Sequence, residues 1–187
     1  MSYHERNLPH CYPPGATLFL TWRLFDSLTH LLVSGRSSPN PGKAFVQADR
    51  LLDMATDGAR WLKDPRIAAL VAAAPDRGEK EYRLYELFSW VIMPNHVHVV
   101  MRPFRPLPDV MRWIKGSTAR SANLLLERTG KPFWQYETYD HCIRNRDELN
   151  RIIQYIEKNP VRAGLARSIE DWRWSSASAG QRPTPQY

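Results

Sequence analysis

Apolar and polar positions divide the first half of the chain into one strand, a loop and two helices. ATLFLTWRLF, residues 16–25, is rich in β-formers and partly alternates, which predicts a first strand. Proline and glycine recur between Ser34 and Gly42, which predicts a loop. The pattern from Lys43 to Ala74 is helical. It predicts one helix through FVQADRLLDMA and GARWL and a second that begins at Asp64-Pro65.

A β-hairpin is predicted next. YRLYELFSWVIMP, residues 82–94, is dense in aromatic and β-branched residues and predicts its first arm. Pro94-Asn95 predicts the turn, and HVHVVMRP, residues 96–103, predicts the second arm. The two histidines therefore stand at the start of a strand that is otherwise rich in valine.

The last third predicts a helix, a strand and a final helix. DVMRWIKGSTARSANLLLER has a helical pattern and is followed by a glycine suited to a C-cap. Residues 133–143 predict a strand, and residues 147–158 a helix that Asn145 is placed to cap. Asn159-Pro160 is expected to end that helix, because a residue before proline avoids the helical region.

This order of elements predicts an α+β fold. With the first two helices counted as one crossover, it is β-α-β-β-α-β plus a final helix. That is the ferredoxin-like, RRM-like arrangement: an antiparallel sheet with helices on one face and the other face free for a ligand. Residues 1–174 are expected to form a single domain, and residues 175–187 a flexible tail.

Composition adds a charge argument. Lys and Arg total 26 against 19 Asp and Glu, which gives a net charge of +7. This excess favours a polyanionic partner such as nucleic acid or a membrane surface, with a solubilising surface as the alternative. The sequence contains neither a membrane-spanning apolar run nor a signal-peptide core, so the expected compartment is the cytoplasm. Two distant cysteines argue against a disulfide framework or a cysteine zinc site.

The histidine pair is the first candidate for chemistry. His96 and His98 are two residues apart on a predicted strand and share one face, while Val97, Val99 and Met101 share the other. The apolar face suits the core, which places the histidines on the open face of the sheet. Two imidazoles at this spacing can bind one divalent metal. The alternative is a pair of half-buried histidines with hydrogen-bond partners, and a metal needs a third ligand.

The final helix offers that ligand. Its buried stripe follows helical spacing: Leu149, Ile152, Ile153 and Ile156. Tyr155 lies on the flank of the stripe, and Asn159 lies one turn later on the same side. The pair suits a nucleophile beside a metal-binding amide oxygen, or simply a tyrosine at the core edge and a helix-terminal asparagine. His141 is a loose candidate for a general base, but it is expected to make a structural hydrogen bond instead.

These segments together resemble a known family. MPNHVHVV resembles the HUH motif of single-tyrosine transposases, in which two histidines flank a bulky hydrophobic residue. YIEKNPVRAGL, residues 155–165, resembles the tyrosine segment of REP-associated tyrosine transposases, which are relatives of the IS200/IS605 transposases. The similarity extends over roughly Arg6 to Ala177 and includes FWQYETYDHCIRN and DWRWSSA.

The resemblance implies a metal-dependent enzyme that cleaves and rejoins single-stranded DNA at palindromic repeats able to form hairpins. It implies that Tyr155 attacks the backbone and forms a 5′-phosphotyrosine link. It also implies that His96 and His98 bind the metal, with Asn159 where the superfamily often has glutamine. The family favours Mg²⁺ or Mn²⁺, whereas ligand type alone leaves Zn²⁺ open.

A DNA-binding surface is expected beside this site. The candidate phosphate-binding residues are Arg112, Lys115, Arg120, Arg144, Arg146 and Arg162, and the alternative for each is a solvated side chain. The partner would be single-stranded DNA bearing a hairpin, and a monomer acting in cis is favoured over a homodimer.

Two other functions compete with this one. The first is a non-catalytic nucleic-acid-binding module of RRM-like fold, although HVH stands where such domains carry stacking aromatics. The second is a metal-dependent hydrolase of small phosphoesters. It would need further carboxylates, and none is near the histidine pair in sequence.

Overall fold

Four antiparallel strands form one sheet. They are β1 (Thr17–Arg23), β2 (Tyr85–Ile92), β3 (His96–Pro103) and β4 (Tyr139–Ile143). Their order is β2-β3-β1-β4, which is the ferredoxin-like order, so the predicted fold class is confirmed. The structure is a computed structural model and describes residue 13 and residues 15–27, 41–55 and 57–178. β4 is shorter than the predicted strand of residues 133–143. Trp134, which lies in the predicted strand but before β4, forms an isolated β-bridge with Leu24.

Four helices accompany the sheet in the described part of the chain. They are α1 (Pro41–Met54), α2 (Pro65–Lys80), α3 (Leu107–Leu125) and α4 (Arg146–Arg162), with a 3₁₀ turn at Trp61–Lys63. The predicted starts of α2 and α4 are confirmed: the side chains of Asp64 and Asn145 accept hydrogen bonds from the first turns of these helices. None of these helices is long and apolar enough to cross a membrane.

The boundaries of α1 differ from prediction. The helix begins at Pro41, inside the predicted loop, whose earlier residues lie outside the described ranges. It ends at Met54, so GARWL does not continue it. Gly58 explains the break, because its φ of +85° suits glycine and a Cβ there would lie 2.5 Å from the carbonyl oxygen of Asp26.

The predicted end of α4 is also wrong. The helix passes through Asn159-Pro160 and continues to Arg162. Proline in the last turn removes a single backbone donor, while Asn159 and Pro160 are both buried by continuing the helix. The amide of Ala163 still donates to the carbonyl oxygen of Asn159, at 2.9 Å. This extension carries Arg162 to the same side of the helix as Tyr155.

The first face of the sheet carries the larger core. Val97, Val99 and Met101 point to this face, as predicted, and are fully buried. They share one apolar cluster with Val71 of α2 and Ile114 of α3. Helices α2 and α3 therefore cover this face.

The second face is covered as well, which corrects the prediction of an open face. A second apolar cluster joins Phe19 and Val100 of the sheet to Leu149 and Ile156 of α4, with Phe45 of α1 packed against it. His96 and His98 are consequently buried completely rather than exposed. The physical reason is the apolar stripe of α4, which is confirmed and needs a sheet face to bury itself against.

The C-terminal boundary lies later than predicted. Ser175 forms a bridge with Val91, and the amide of Ser176 donates to the carbonyl oxygen of Trp90 at 2.9 Å. Both serines are buried. The domain therefore continues past residue 174, while residues 179–187 of the predicted tail lie outside the described residues.

Candidate active site

Strand β3 and helix α4 bring the four predicted site residues together under the second face. The Nε2 atoms of His96 and His98 are 3.0 Å apart. Asn159 lies 3.0 Å from Nε2 of His98, measured to its amide nitrogen. The ring centroids of His98 and Tyr155 are 6.2 Å apart. The structure therefore confirms the proximity of these residues, and their roles remain predictions.

The orientation of His96 is fixed by the residue before it. The amide nitrogen of Asn95 donates to the carbonyl oxygen of Leu52 in α1, at 2.8 Å, which leaves the amide oxygen as an acceptor. Nδ1 of His96 lies 2.7 Å from that oxygen and must carry the proton between them. Burial and then the neighbouring His98 lower the pKa of His96 to about 3, so this imidazole is neutral. Its Nε2 therefore presents a lone pair, as a metal ligand requires.

His98 is held in a similar way from β1. Its Nδ1 lies 2.7 Å from the hydroxyl oxygen of Thr21, which is the residue paired with it across the sheet. This contact turns Nε2 of His98 toward Nε2 of His96 and toward α4. Hydrogen bonds of this kind on the far nitrogen hold the rings of metal-binding histidines in place.

A residue that the sequence did not reveal completes the cluster. Asp49 of α1 is buried, and its Oδ1 lies 3.1 Å from Nε2 of His98 and 3.5 Å from Nε2 of His96. These three residues form a group able to hold a metal ion. Burial opposes ionisation of Asp49, but His98, His96 and the Tyr155 hydroxyl outweigh it and hold the pKa of this carboxyl below its ordinary value.

The donor atoms fit a divalent cation. Two ligands at about 2.1 Å from one ion and at a right angle to each other are about 3.0 Å apart, close to the spacings of 3.0, 3.1 and 3.5 Å among the three residues. Oδ1 of Asp49, Oδ1 of Asp53 and Oδ1 of Asn159 are buried without a hydrogen-bond partner. Buried oxygens normally have a partner, so a cation among the histidines would satisfy Oδ1 of Asp49, the one of these three atoms that belongs to the candidate metal group.

Asn159 does not face the cluster as predicted. Its amide nitrogen, not its oxygen, points to His98 and to Asp49. A nitrogen of this kind donates hydrogen bonds and cannot bind a metal. Exchange of the two amide atoms by a half-turn would bring Oδ1 into the ligand position.

Asp53 lies at the edge of the same cluster, one helical turn after Asp49. Its Oδ1 is 4.0 Å from Nε2 of His96, and its side chain is 9% exposed. Burial and then the charge of Asp49 raise the pKa of Asp53 to about 7. Without a cation, this carboxyl therefore holds its proton more tightly in the folded protein than in the unfolded chain.

Asp53→Asn should stabilise the metal-free protein above neutral pH. An unfolded aspartate titrates near pH 3.9, so wild-type stability falls as pH rises from about 4 through about 7, and the asparagine variant lacks this loss. The difference between variant and wild type should grow on the order of 3 kcal/mol across that window. Urea unfolding in EDTA at pH 5 and pH 8 measures it, with Asp57→Asn, on the exposed chain after α1, as the control. An unchanged difference at the two pH values would contradict the assignment.

Tyr155 connects to this cluster through Asp49. Its hydroxyl donates to Oδ2 of Asp49, and its ring lies among Phe19, Phe45 and His98. Burial and then the charge of Asp49 raise the pKa of Tyr155, so the hydroxyl keeps its proton at neutral pH. On the solvent side, the guanidinium carbon of Arg162 lies 4.7 Å from the centre of the tyrosine ring.

The other predicted DNA-binding residues differ in availability. Lys115 donates to three backbone carbonyl oxygens, at 3.0 to 3.1 Å, so its ammonium group is committed to the segment before β4. Arg112 is exposed and paired with Asp109. Arg120, Arg144 and Arg146 are exposed. His141 makes the structural contact expected of it, with Glu148 at 2.9 Å.

Asp49, Asp53 and Asn95 are the residues that the sequence did not single out. The two aspartates are four residues apart on a helix, which places them on one face, and this was their only signal. Asn95 was interpreted as a turn residue, although it directly precedes the histidine pair.

Part of the chain is similar in sequence to known transposases. Residues 76–159 match the model of the family described as "Transposase IS200 like". The chain is 30% identical over 104 residues to the REP-associated tyrosine transposase of Escherichia coli (strain K12), and 25% identical over 111 residues to a putative one of Haemophilus influenzae. These matches cover 52% and 51% of the chain but only 57% and 61% of the relatives' own lengths.

The fold has a solved counterpart. A REP-associated tyrosine transposase bound to a REP hairpin superposes with a TM-score of 0.61 at 21% identity, covering 96% of this chain and 84% of the other. At that identity, the likeness shows the fold alone. The matched segment contains His96, His98, Tyr155 and Asn159, so the predicted resemblance to REP-associated tyrosine transposases is confirmed, and residues 76–159 are similar to the IS200-like transposases.

Proposed function

We propose that this protein is a metal-dependent nuclease and strand transferase that acts on single-stranded DNA beside hairpin-forming palindromic repeats. The observation that carries the proposal is the placement of one tyrosine hydroxyl, that of Tyr155, against a buried Asp-His-His group. A tyrosine that only filled the core edge would not need its hydroxyl bound to a carboxylate of a candidate metal site.

Tyr155 supplies the nucleophile in this proposal. Its oxygen forms a bond to a backbone phosphorus while the bond from that phosphorus to the 3′ oxygen breaks. The phenolic proton leaves, and the departing oxygen takes up a proton to become a free 3′-hydroxyl. The 5′-phosphotyrosine link conserves the energy of the broken bond, so a second 3′-hydroxyl can reverse the reaction and join two strands.

His96, His98 and Asp49 would hold the metal, with Asn159 as a further ligand after exchange of its amide atoms. When bound, a divalent cation would polarise the scissile phosphate and stabilise the charge that develops on it. The donor set mixes imidazole with carboxylate oxygen, and the oxygen donors favour Mg²⁺ or Mn²⁺ while the imidazoles suit Zn²⁺. We expect activity with Mn²⁺ or Mg²⁺.

Arg162 is the best placed of the predicted DNA-binding residues. Its guanidinium group covers the ring of Tyr155 from the solvent side, where a backbone phosphate would approach. The exposed Arg144 and Arg146 at the start of α4 add positive charge to the same helix. We propose that these arginines hold the DNA backbone, whereas Lys115 and its three carbonyl partners serve the fold.

The proposed substrate and the proposed oligomeric state each have one supporting observation. One fold relative is bound to a REP hairpin, which supports a hairpin repeat as the partner of this chain. Tyr155 meets the histidine pair of its own chain, which supports a monomer acting in cis.

A labelled-oligonucleotide assay tests the proposal. Hairpins with single-stranded flanks, chosen from palindromes in the DNA around the gene, are incubated with the protein and Mn²⁺ or Mg²⁺. A label at the 3′ end should enter a slow-migrating covalent adduct, whereas a label at the 5′ end should appear in a shorter free fragment. EDTA should abolish both products.

The competing binding module gives a different result. It would bind the hairpins with a strong salt dependence and produce neither adduct nor fragment with any divalent metal. A fragment without an adduct would instead favour hydrolysis by a metal-bound water and remove Tyr155 from the mechanism.

A further inference from the structure

We propose that Asp49 is a bridging carboxylate of the active site: its Oδ1 binds the metal while its Oδ2 holds the hydroxyl of Tyr155. This inference rests on the proposed function and adds to it a residue on α1. Asp49 lies outside the segment of residues 76–159 that matches the transposase family. This chain would therefore supplement the histidine pair with a carboxylate carried by a separate helix.

The first oxygen has the position of a ligand. Oδ1 lies 3.1 and 3.5 Å from the two histidine nitrogens, is buried and has no hydrogen-bond partner. His96 presents a lone pair, not a proton, toward this space, because its Nδ1 carries the proton bound by Asn95. A carboxylate oxygen facing such a lone pair is repelled unless a cation or a proton lies between them.

The second oxygen is occupied differently. Oδ2 accepts the hydrogen bond from the Tyr155 hydroxyl. It also accepts a weaker one from the amide nitrogen of Asn159, at 3.3 Å, which would be lost if Asn159 exchanged its amide atoms to bind the metal. An ionised carboxylate has about four lone-pair sites, so both oxygens can be used at once. The same side chain therefore touches the candidate metal site and the nucleophile.

This arrangement gives the proton of Tyr155 a destination. When the tyrosine oxygen bonds to phosphorus, its proton passes along the existing hydrogen bond to Oδ2 of Asp49. The bond from phosphorus to the 3′ oxygen breaks, and that oxygen leaves with the electron pair and takes a proton from solvent. In the joining reaction a 3′-hydroxyl attacks phosphorus and loses its proton to solvent, while the bond from phosphorus to the tyrosine oxygen breaks and Asp49 returns its proton to that oxygen. Protons therefore balance over both steps.

The anchoring of α1 supports a built site. Leu52, on the same helix, accepts the hydrogen bond from Asn95 that also fixes His96. Phe45 stacks on Tyr139 of β4, with ring centroids 4.3 Å apart. The helix that carries Asp49 is thus tied to β3 through the histidine pair and to β4 through an aromatic contact.

Asp49→Asn separates the two roles, because it keeps the shape of the side chain and removes its charge. The first measurement is Mn²⁺ affinity without DNA, by titration calorimetry, and we expect at least a 10-fold loss. The second is the single-turnover rate of adduct formation at Mn²⁺ concentrations that saturate the variant. That rate should remain roughly 10²-fold below wild type, because positioned proton transfer contributes a factor of this size.

Each outcome decides one part of the proposal. Unchanged Mn²⁺ affinity would overturn the ligand role of Oδ1, and a rate restored by saturating Mn²⁺ would overturn the role of Oδ2. Asp57→Asn should match wild type in both measurements. Near-UV circular dichroism checks the fold, and Asp49→Ala, which removes both oxygens, repeats the test if the asparagine variant is misfolded. Failure of wild type to form any adduct would instead reject the proposed function, and the affinity measurement would still decide the ligand role.

Discussion

Tyr155→Phe is expected to abolish the covalent protein–DNA adduct, with a loss on the order of 10⁴-fold or more in the rate of cleavage. The variant keeps the ring contacts with Phe19, Phe45 and His98 and removes only the oxygen that forms the bond to phosphorus. Hairpin binding should change little, because Arg162 still finds an aromatic ring beneath it. The measurement is adduct formation on a denaturing gel, with binding measured in parallel.

Tyr139→Phe is the matched control for this prediction. Tyr139 lies in the same aromatic cluster, stacked on Phe45, and is half-buried like Tyr155. Loss of its hydroxyl should leave the adduct in place. An adduct that persists in the Tyr155 variant, or disappears in the Tyr139 variant, would show that the nucleophile has been assigned to the wrong residue.

The parts of the site that depend on local period could be predicted from the sequence. Alternation along β3 separates His96 and His98 from the core valines, and helical spacing puts Tyr155 and Asn159 on one side of α4. Such relations follow from backbone geometry and do not depend on how the helices are arranged around the sheet. The structure accordingly brings these four residues together.

The contribution of α1 could not be predicted in this way. Asp49 reaches the histidines only because α1 packs on the second face of the sheet, opposite the other helix between β1 and β2. An amphipathic pattern shows that a helix buries one face, but not which face of the sheet it covers. For the same reason the histidines were expected to be exposed. The sequence does not show that α1 and α4 cover the sheet face that carries them.

Proline misled the prediction at the end of α4 for a related reason. The preference of a residue before proline for extended backbone is a local bias, and the tertiary burial of Asn159 and Pro160 outweighs it. The consequence is functional, because the additional residues bring Arg162 over the ring of Tyr155. If the helix ended at residue 158, helical spacing would not put Arg162 on the same side as Tyr155.

His98→Asn is expected to reduce both Mn²⁺ affinity and adduct formation on the order of 10³-fold. Loss of a partner that only orients a ligand costs roughly 10- to 100-fold in metal affinity, and loss of a ligand should cost more. The metal contributes several kcal/mol to stabilising the transition state, which corresponds to about 10³-fold or more in rate. The imidazole ring of His98 contacts Thr21 through Nδ1 and faces the candidate metal position through Nε2. The shorter asparagine cannot reach both at once.

His141→Asn gives the comparison for this variant. His141 is a histidine on the edge strand β4, bound to Glu148 and absent from the candidate metal group. Its replacement should leave Mn²⁺ affinity and adduct formation close to wild type. If His98→Asn lost adduct formation but kept its Mn²⁺ affinity, the metal would be bound elsewhere and His98 would act on the nucleophile directly. Equal losses in both measurements would instead tie the metal to the histidine pair, because cleavage would then follow occupancy of that site.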